Sequence, residues 1–183
     1  HWKEIGAFAA IEQLALDAAE NGDLEIARAA WSEVYVNWPE SSAYAYAQLL
    51  FTATEYAAAE QVLTNAIADF PDSAQRERDL WYRLLARTYL AQNKPGASIA
   101  TWEAALNEND QNYPGIINLA TLYTQANREQ AEIQQLYEKA IELDPSRGAG
   151  YAGMGSIALL NNDLVAAAQW YDEAITRKPD EVG

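Results

Sequence analysis

Cysteine is absent from the 183-residue sequence, and the single histidine is the first residue. These absences exclude disulfides, thiolate metal sites and cysteine nucleophiles, and they leave no internal imidazole for acid–base or metal chemistry. No apolar run approaches the roughly 20 residues that a membrane-spanning helix needs, and the first residues show no secretory signal peptide. We therefore expect no metal, no cofactor and no membrane-inserted segment.

Positive charge is also scarce in this chain. It has 12 lysines and arginines against 27 aspartates and glutamates, which gives a formal net charge of −15. Such an acidic surface repels phosphate backbones and anionic lipid headgroups, so neither nucleic-acid binding nor membrane-surface binding is expected. Because half of the residues are hydrophobic, the chain can build a sizeable core and is not expected to be disordered.

Four prolines end stretches that share one spacing. Each stretch has a small residue, a bulky residue four positions later, a second small residue three positions after that, and the proline five positions further on, except that Ile133 and Val34 each replace one small residue. These prolines are Pro39, Pro71, Pro145 and Pro179. A degenerate third copy runs from Ser98 to Asp110, which takes the place of the proline. The stretches recur about every 35 residues, which predicts an array of repeated units.

Each unit also has an earlier half, in which a large residue is followed by a small one. The five pairs are Leu14–Ala15, Tyr46–Ala47, Leu85–Ala86, Leu119–Ala120 and Met154–Gly155. Further bulky or small residues follow these pairs at the three- and four-residue spacings of one helix face, whereas a strand would need alternation. Turn-forming segments separate the two halves, and proline cannot continue a helix. Each unit is therefore predicted to be a helix, a short turn, a second helix and a break.

Close packing of adjacent helix pairs explains the small and bulky positions. One helix pair cannot bury its apolar stripe alone, whereas stacked pairs build a continuous core. The small residue of each large–small pair is expected where two helices approach closely. Bulky residues that fill the space between neighbouring pairs are expected at Trp31, Leu63, Trp102, Tyr137 and Tyr171.

This pattern resembles the tetratricopeptide repeat family, whose signature places Leu-Gly/Ala and Tyr in a first helix and Ala, Phe/Tyr, Ala and Pro in a second. The best copy is YEKAIELDP at Tyr137–Pro145. The resemblance covers five repeats and implies an all-α fold, a right-handed superhelical solenoid of tandem helix–turn–helix repeats. The predicted boundaries are 8–39, 40–73, 79–112, 113–147 and 148–183 for the repeats, 74–78 for an insertion, and 1–7 for the end of a preceding helix or a tag remnant.

The candidate catalytic motifs are weak. Residues 148–153 match the dinucleotide-binding pattern G-x-G-x-x-G, but that pattern needs a preceding strand, and a helix end precedes it here. A glycine-rich, close-packed helix is the better interpretation. The polar run 107–112 lacks the glycine and the final glutamate of a calcium loop, and paired acids such as Glu138 and Glu142 are expected on solvated helix faces. We therefore expect no enzymatic activity.

The resemblance implies a partner-binding groove, because the first helix of each repeat lines the concave side of such an array. The candidate groove residues are Glu12, Leu16, Tyr44, Gln48, Phe51, Arg83, Arg87, Asn118, Thr121, Thr124 and Ser156. Within this set, the eight residues from Tyr44 to Thr124 form the predicted binding site.

Arginines concentrate beside this site. Arg83 and Arg87 lie four residues apart on one helix face, and Arg76 and Arg78 come just before them. Two guanidinium groups suit a carboxylate or another acidic group. The carboxylate clamp of chaperone-binding family members is not expected, because only Arg83 and Asn118 fit its pattern. In the alternative interpretation, Arg83 and Arg87 simply pair with local acids, and those acids are Glu77, Asp79 and Glu103.

We predict a non-catalytic protein–protein interaction scaffold or adaptor, which binds a protein or peptide with an acidic or C-terminal carboxylate group. The alternative is a structural spacer or self-associating module of a larger bacterial envelope or secretion protein. In that alternative the uncapped last repeat, with Trp170 partly exposed, drives homo-oligomer formation. The composition leaves the compartment undecided, because few lysines and no cysteine are compatible with a bacterial periplasm or envelope as well as with the cytoplasm.

Overall fold

Ten α-helices make up most of residues 2–177. The structure, a computed structural model, describes the backbone of residues 2–177 and the side chains of residues 6–177, and within these residues it contains no β-strand. The helices are α1 (Trp2–Glu20), α2 (Leu24–Asn37), α3 (Pro39–Thr52), α4 (Tyr56–Asp69), α5 (Gln75–Ala91), α6 (Pro95–Glu108), α7 (Tyr113–Gln125), α8 (Gln130–Leu143), α9 (Ala149–Leu160) and α10 (Leu164–Ile175). The predicted all-α fold class is confirmed.

A short turn follows each odd-numbered helix, and one residue of each turn has a left-handed backbone. These residues are Gly22 (φ 81°), Thr54 (62°), Asn93 (58°), Asn127 (52°) and Asn162 (59°). Glycine and asparagine tolerate this conformation, whereas it strains a β-branched residue such as Thr54. The five predicted turns therefore share one backbone geometry, and the turn after α3 is strained at Thr54.

The described chain divides after Thr101 into two compact units, each with its own core. In the first unit the small residues Ala15 and Ala47 and the bulky residue Leu63 are fully buried, and Trp31 is 3% exposed. The second helices of the repeats therefore place their bulky side chains against the small positions of the first helices. The predicted alternation of small and bulky core residues is confirmed in this unit.

The second unit packs its helices through glycine. A Cβ built on Gly153 would lie 2.3 Å from ring atom Cδ1 of Tyr137, and a Cβ on Gly150 would lie 2.8 Å from Cγ1 of Ile141. Both glycines belong to α9, which contacts α8, and Gly150 lies in its first turn. The glycine-rich motif at 148–153 therefore serves helix packing, as the sequence analysis expected.

The helix bounds differ in detail from the predicted repeat boundaries. Residues 2–7, predicted as the end of a preceding helix or a tag remnant, are continuous with the rest of α1. Residues 75–78, predicted as part of an insertion, form the first turn of α5, and Ala74 is its N-cap. Pro179 and the predicted end of the fifth repeat lie outside the described residues.

Candidate functional site

The first candidate surface lies on α3 and α5, two helices of the first unit that contact each other. Tyr44 and Phe51 lie two turns apart on α3, with Gln48 between them, and all three are half-buried. Tyr44 and Phe51 pack against the core of the unit. The guanidinium carbon of Arg87 on α5 lies 5.2 Å from the centroid of the Phe51 ring. The fold thus brings two predicted site residues together in a cation–π contact.

The charges of the two site arginines are not compensated within this unit. Arg87 is exposed, and Arg83, one turn earlier on α5, is half-buried. In the part of the first unit that the structure describes, neither arginine forms a hydrogen bond or an ion pair. Asp79, one of the acids of the alternative interpretation, instead accepts a hydrogen bond from Nε2 of Gln75 at 3.0 Å. Neither guanidinium group is therefore held by an acid in the described part of this unit.

Arg78 does not belong to this surface, which corrects the prediction that it extends the arginine cluster. Its residue exposure is only 5%. Its Nη1 donates to the carbonyl oxygens of Ile67 at 3.1 Å and Phe70 at 2.7 Å. These carbonyls lie at the C-terminal end of α4, where the last turn of a helix lacks intrahelical donors. Arg78 therefore stabilises a helix end and is not accessible to a partner.

The predicted site residues of the second unit use their hydroxyl donors within their own helices. Asn118, Thr121 and Thr124 lie on α7, and each donates to the carbonyl oxygen four positions earlier in that helix, at 2.7, 2.9 and 2.8 Å. Ser156 on α9 does the same at 3.1 Å, and its oxygen also lies 3.1 Å from the hydroxyl of Tyr171. The two threonines therefore present methyl groups and acceptor oxygens, and none of the three hydroxyl groups offers a carboxylate an unused proton, whereas Asn118 keeps one amide N–H.

A cleft of about 170 Å³ opens between α7, α8 and α9 in the second unit. Two candidate groove residues of the sequence analysis, Thr124 and Ser156, line its walls. Ile133 and Tyr137 from α8 and Ile157 from α9 also line it, and each of these three is less than 10% exposed. The cleft therefore has a rigid apolar floor between two walls that carry hydroxyl groups.

Sequence reasoning missed the floor of this cleft because it assigned Tyr137 to the core alone. The ring of Tyr137 reaches the cleft because Gly153 places no side chain between that ring and α9. The glycine at position 153 was the available signal, but the glycine motif was interpreted only as helix packing. Leu160, at the end of α9, also lines the cleft, and this residue is 70% exposed.

The charge of Arg128, on the rim of the cleft, is already compensated. Its Nη2 lies 3.7 Å from Oε1 of Glu103, and its guanidinium carbon lies 5.0 Å from the ring centroid of Tyr123. The Tyr123 hydroxyl donates to the same carboxylate oxygen at 2.7 Å. Burial, followed by this hydrogen bond and the charge of Glu103, raises the pKa of Tyr123 to about 12, because a tyrosinate would lose the bond and face a carboxylate.

Other kinds of site find no support in the residues that the structure describes. None of their helices has the length and hydropathy of a membrane span, and none of their acidic or histidine side chains form a group of three that could hold a metal ion. In the polar run 107–112, Oδ1 of Asn112 accepts from the backbone N–H of Gly115 at 2.9 Å. That oxygen caps the first turn of α7.

Comparison with known sequences gives one family and two distant curated relatives. The sequence profile described as tetratricopeptide repeat matches residues 12–74, 83–148 and 134–182. The chain is 27% identical over 141 residues to protein O-mannosyl-transferase TMTC1 of Mus musculus, which covers 74% of the chain and 14% of that protein. It is 26% identical over 135 residues to the general transcriptional corepressor ssn6 of Schizosaccharomyces pombe, which covers 70% of the chain and 12% of that protein. The chain thus spans less than a fifth of the length of these relatives.

Solved structures share the fold at low sequence identity. The crystal structure of MamA protein has a TM-score of 0.72 and 15% identity, over 92% of this chain and 90% of that one. A tetratricopeptide repeat protein from Parabacteroides merdae ATCC 43184 has a TM-score of 0.77 and 12% identity, over 93% of this chain and 66% of that one. At these identities the likeness concerns the fold alone.

Proposed function

The chain belongs to the tetratricopeptide repeat family, and on that premise we propose that it is a non-catalytic scaffold that holds a protein or peptide partner. Such arrays present an extended surface of side chains from successive first helices. The transferase activity in the name of one relative is not carried over, because the match covers only 14% of that protein.

We propose further that an acidic segment or a C-terminal carboxylate of the partner binds the surface of α3 and α5. The observation that carries this proposal is the placement of Arg87 over the ring of Phe51 at 5.2 Å, with Arg83 one turn away. A guanidinium group held against an aromatic ring has lost part of its rotamer freedom before binding, so less entropy is lost when a carboxylate is bound. Tyr44 supplies an apolar neighbour on the same helix.

Fluorescence anisotropy with a labelled peptide that ends in Glu-Leu-Glu-Asp tests this site, with the Gln-Leu-Gln-Asn peptide amide as the uncharged comparison. The double substitution Arg83→Glu and Arg87→Glu should weaken binding of the acidic peptide at least tenfold, since two charge-assisted contacts of about 1.5–3 kcal/mol each become repulsive. The far-UV circular-dichroism melt should stay cooperative, with a loss of stability no larger than the about 0.5–1 kcal/mol of the Arg87–Phe51 contact, because neither arginine forms a hydrogen bond or an ion pair in the described part of its unit.

The matched control is Arg76→Glu, because Arg76 is an exposed arginine of the same helix that lies outside the predicted site. It should change the affinity by less than twofold. If Arg76→Glu weakens binding as much as the double substitution does, the effect is one of net charge and the site is refuted. Equal binding of the uncharged peptide would refute it as well.

Self-association is a second candidate function, favoured by apolar side chains on the last described helix. Leu164 and Val165 at the start of α10 and Ile175 at its end are 65%, 72% and 80% exposed, and each would remove apolar surface from water if two copies associated through this helix. Trp170, expected to be partly exposed, is half-buried with its ring centroid 6.1 Å from that of Tyr151. Light scattering should therefore compare the parent chain with Val165→Ser and Ile175→Ser. A parent chain that stays monomeric at millimolar concentration would refute self-association.

A further inference from the structure

We propose that the cleft between α7, α8 and α9 is a subsite for one apolar side chain, the size of leucine or phenylalanine, on an uncharged segment of a bound polypeptide. This inference rests on the proposed scaffold function, because it supplies a contact for the partner of that scaffold. It concerns a surface other than the arginine surface of α3 and α5, and it assigns a different chemistry to the ligand.

The dimensions of the cleft fit such a side chain. Its volume is about 170 Å³, and an apolar protein cavity of about 150 Å³ is large enough to take up benzene. Ile133, Tyr137 and Ile157 form the floor, with residue exposures of 6%, 8% and 6%. Because these side chains are packed in the core of the second unit, the floor is formed before a ligand arrives.

The walls favour an apolar group over a charged one. The hydroxyls of Thr124 and Ser156 already donate to carbonyl oxygens of their own helices. A carboxylate that entered the cleft would lose its hydration, and the two wall hydroxyls hold no unused donor to replace it, whereas the amides of Asn127 and Gln130 lie at the mouth and not beside the apolar floor. An apolar side chain would instead bury its surface against the floor and against the methyl group of Thr124.

The charges around the cleft also indicate a neutral occupant. Helices α7 and α9 contain no charged residue over their whole length, as their sequences YPGIINLATLYTQ and AGYAGMGSIALL show. The third helix, α8, has Glu129 at its N-cap and Glu132 in its first turn, but both are exposed and neither lines the cleft. Arg128 on the rim is paired with Glu103.

The exposed amide side chains of Asn127 and Gln130 lie at the mouth, and amides can donate to and accept from a peptide main chain. A neutral peptide segment with one large apolar side chain can pack that side chain against the floor and form main-chain hydrogen bonds with the amides at the mouth.

The probes for this subsite are N-acetyl-L-leucinamide and N-acetyl-L-phenylalaninamide, added to the full chain with ¹³C-labelled isoleucine methyl groups. The methyl signals of Ile133 and Ile157 should shift saturably, with a Kd in the millimolar range. The corresponding N-acetyl amides of aspartate and lysine should bind at least tenfold more weakly. Binding of the aspartate probe as tight as that of the leucine probe would overturn the proposal.

Two matched pairs of variants locate the binding. Thr124→Phe fills the cleft, whereas Gln125→Phe introduces the same side chain at the next residue of α7, which is exposed, does not line the cleft and lies outside the predicted site. Leu160→Asp places a carboxylate at the mouth, whereas Leu159→Asp does so at the adjacent residue, which is 47% exposed and outside the lining. The cleft variants should weaken the leucine probe at least fivefold, and the control variants should leave its Kd within twofold.

The two proposals fail separately in these experiments. The chain with Arg83→Glu and Arg87→Glu should keep its affinity for the leucine probe, since that surface lies on other helices. If the acidic peptide does not bind but the leucine probe does, the proposed arginine site is refuted and the proposed apolar subsite is supported. If no probe shifts the methyl signals, or if the cleft and control variants bind alike, the subsite is refuted whatever the acidic peptide does.

Discussion

Replacing Gly153 by alanine should destabilise the protein, although alanine is the better helix former. In a helix interior the exchange of glycine for alanine is favourable by up to about 1 kcal/mol. Against this gain, the new Cβ would lie 2.3, 2.3 and 2.5 Å from three ring atoms of Tyr137, where carbon atoms prefer about 3.5–4.0 Å. The ring would have to move by more than 1 Å. We therefore expect a packing cost at the high end of the about 1–3 kcal/mol by which overpacking destabilises a core. We expect a net loss of about 1–2 kcal/mol.

Urea unfolding followed by circular dichroism measures this loss, and the chain offers a control for it. Gly6 lies in α1, and apart from its chain neighbours and the adjacent backbone of its own helix no atom lies within 4 Å of the position of its Cβ, so Gly6→Ala should stabilise the protein by up to about 1 kcal/mol. A double-mutant cycle with Tyr137→Ala should show coupling, because the smaller side chain removes the clash. If Gly153→Ala is as stabilising as Gly6→Ala, close approach of the Tyr137 ring does not explain the glycine.

The same urea assay checks a turn residue and a tyrosine. Thr54 has a left-handed backbone conformation that glycine or asparagine adopts in the other described turns. Thr54→Asn should therefore raise the free energy of unfolding by about 0.5–1 kcal/mol, whereas Asn93→Thr should lower it. No change in either variant would contradict backbone strain at Thr54. Tyr123 has a pKa of about 12 in the folded chain, above the ordinary value of about 10. Its hydrogen bond to Glu103 therefore contributes its full stabilisation of the fold below about pH 10, and this contribution is lost as the pH rises through 12. The free energies of unfolding of the parent chain and of Tyr123→Phe should differ by about 0.5–1 kcal/mol at neutral pH, after allowance for solvent screening. This difference should vanish near pH 12, and a difference that stays constant with pH would refute the role of the bond.

The fold could be predicted because its determinants are local in the sequence. The spacing of Ala59, Leu63 and Ala66 places all three on one face of a helix, and all three are fully buried in α4. The size of each residue then indicates how closely the next helix can approach, as Ala47 and Gly153 show. Periodicity and side-chain volume together were enough for helix pairs, turns and core.

The roles of individual polar residues could not be predicted in this way. Arg78 and Arg83 are both arginines of α5, yet one is buried and bonds to the end of α4, whereas the other bonds to nothing in the described part of its unit. The difference depends on where the carbonyls of Ile67 and Phe70 come to lie, which is a result of tertiary packing. The cleft depends in the same way on three helices and on one missing Cβ, at Gly153.

The residues that the resemblance implied as one groove belong to two surfaces of different chemistry. On α3 and α5 they offer guanidinium groups beside aromatic rings, and on α7 and α9 they offer a neutral apolar cleft with engaged hydroxyls. A partner that used both would carry an acidic group and, elsewhere, a neutral apolar residue. Loss of the acidic contact by Arg87→Glu should then reduce the salt dependence of binding, because salt screens exposed charges. Loss of the apolar contact by Leu160→Asp should instead make the heat-capacity change of binding less negative, because less apolar surface is buried.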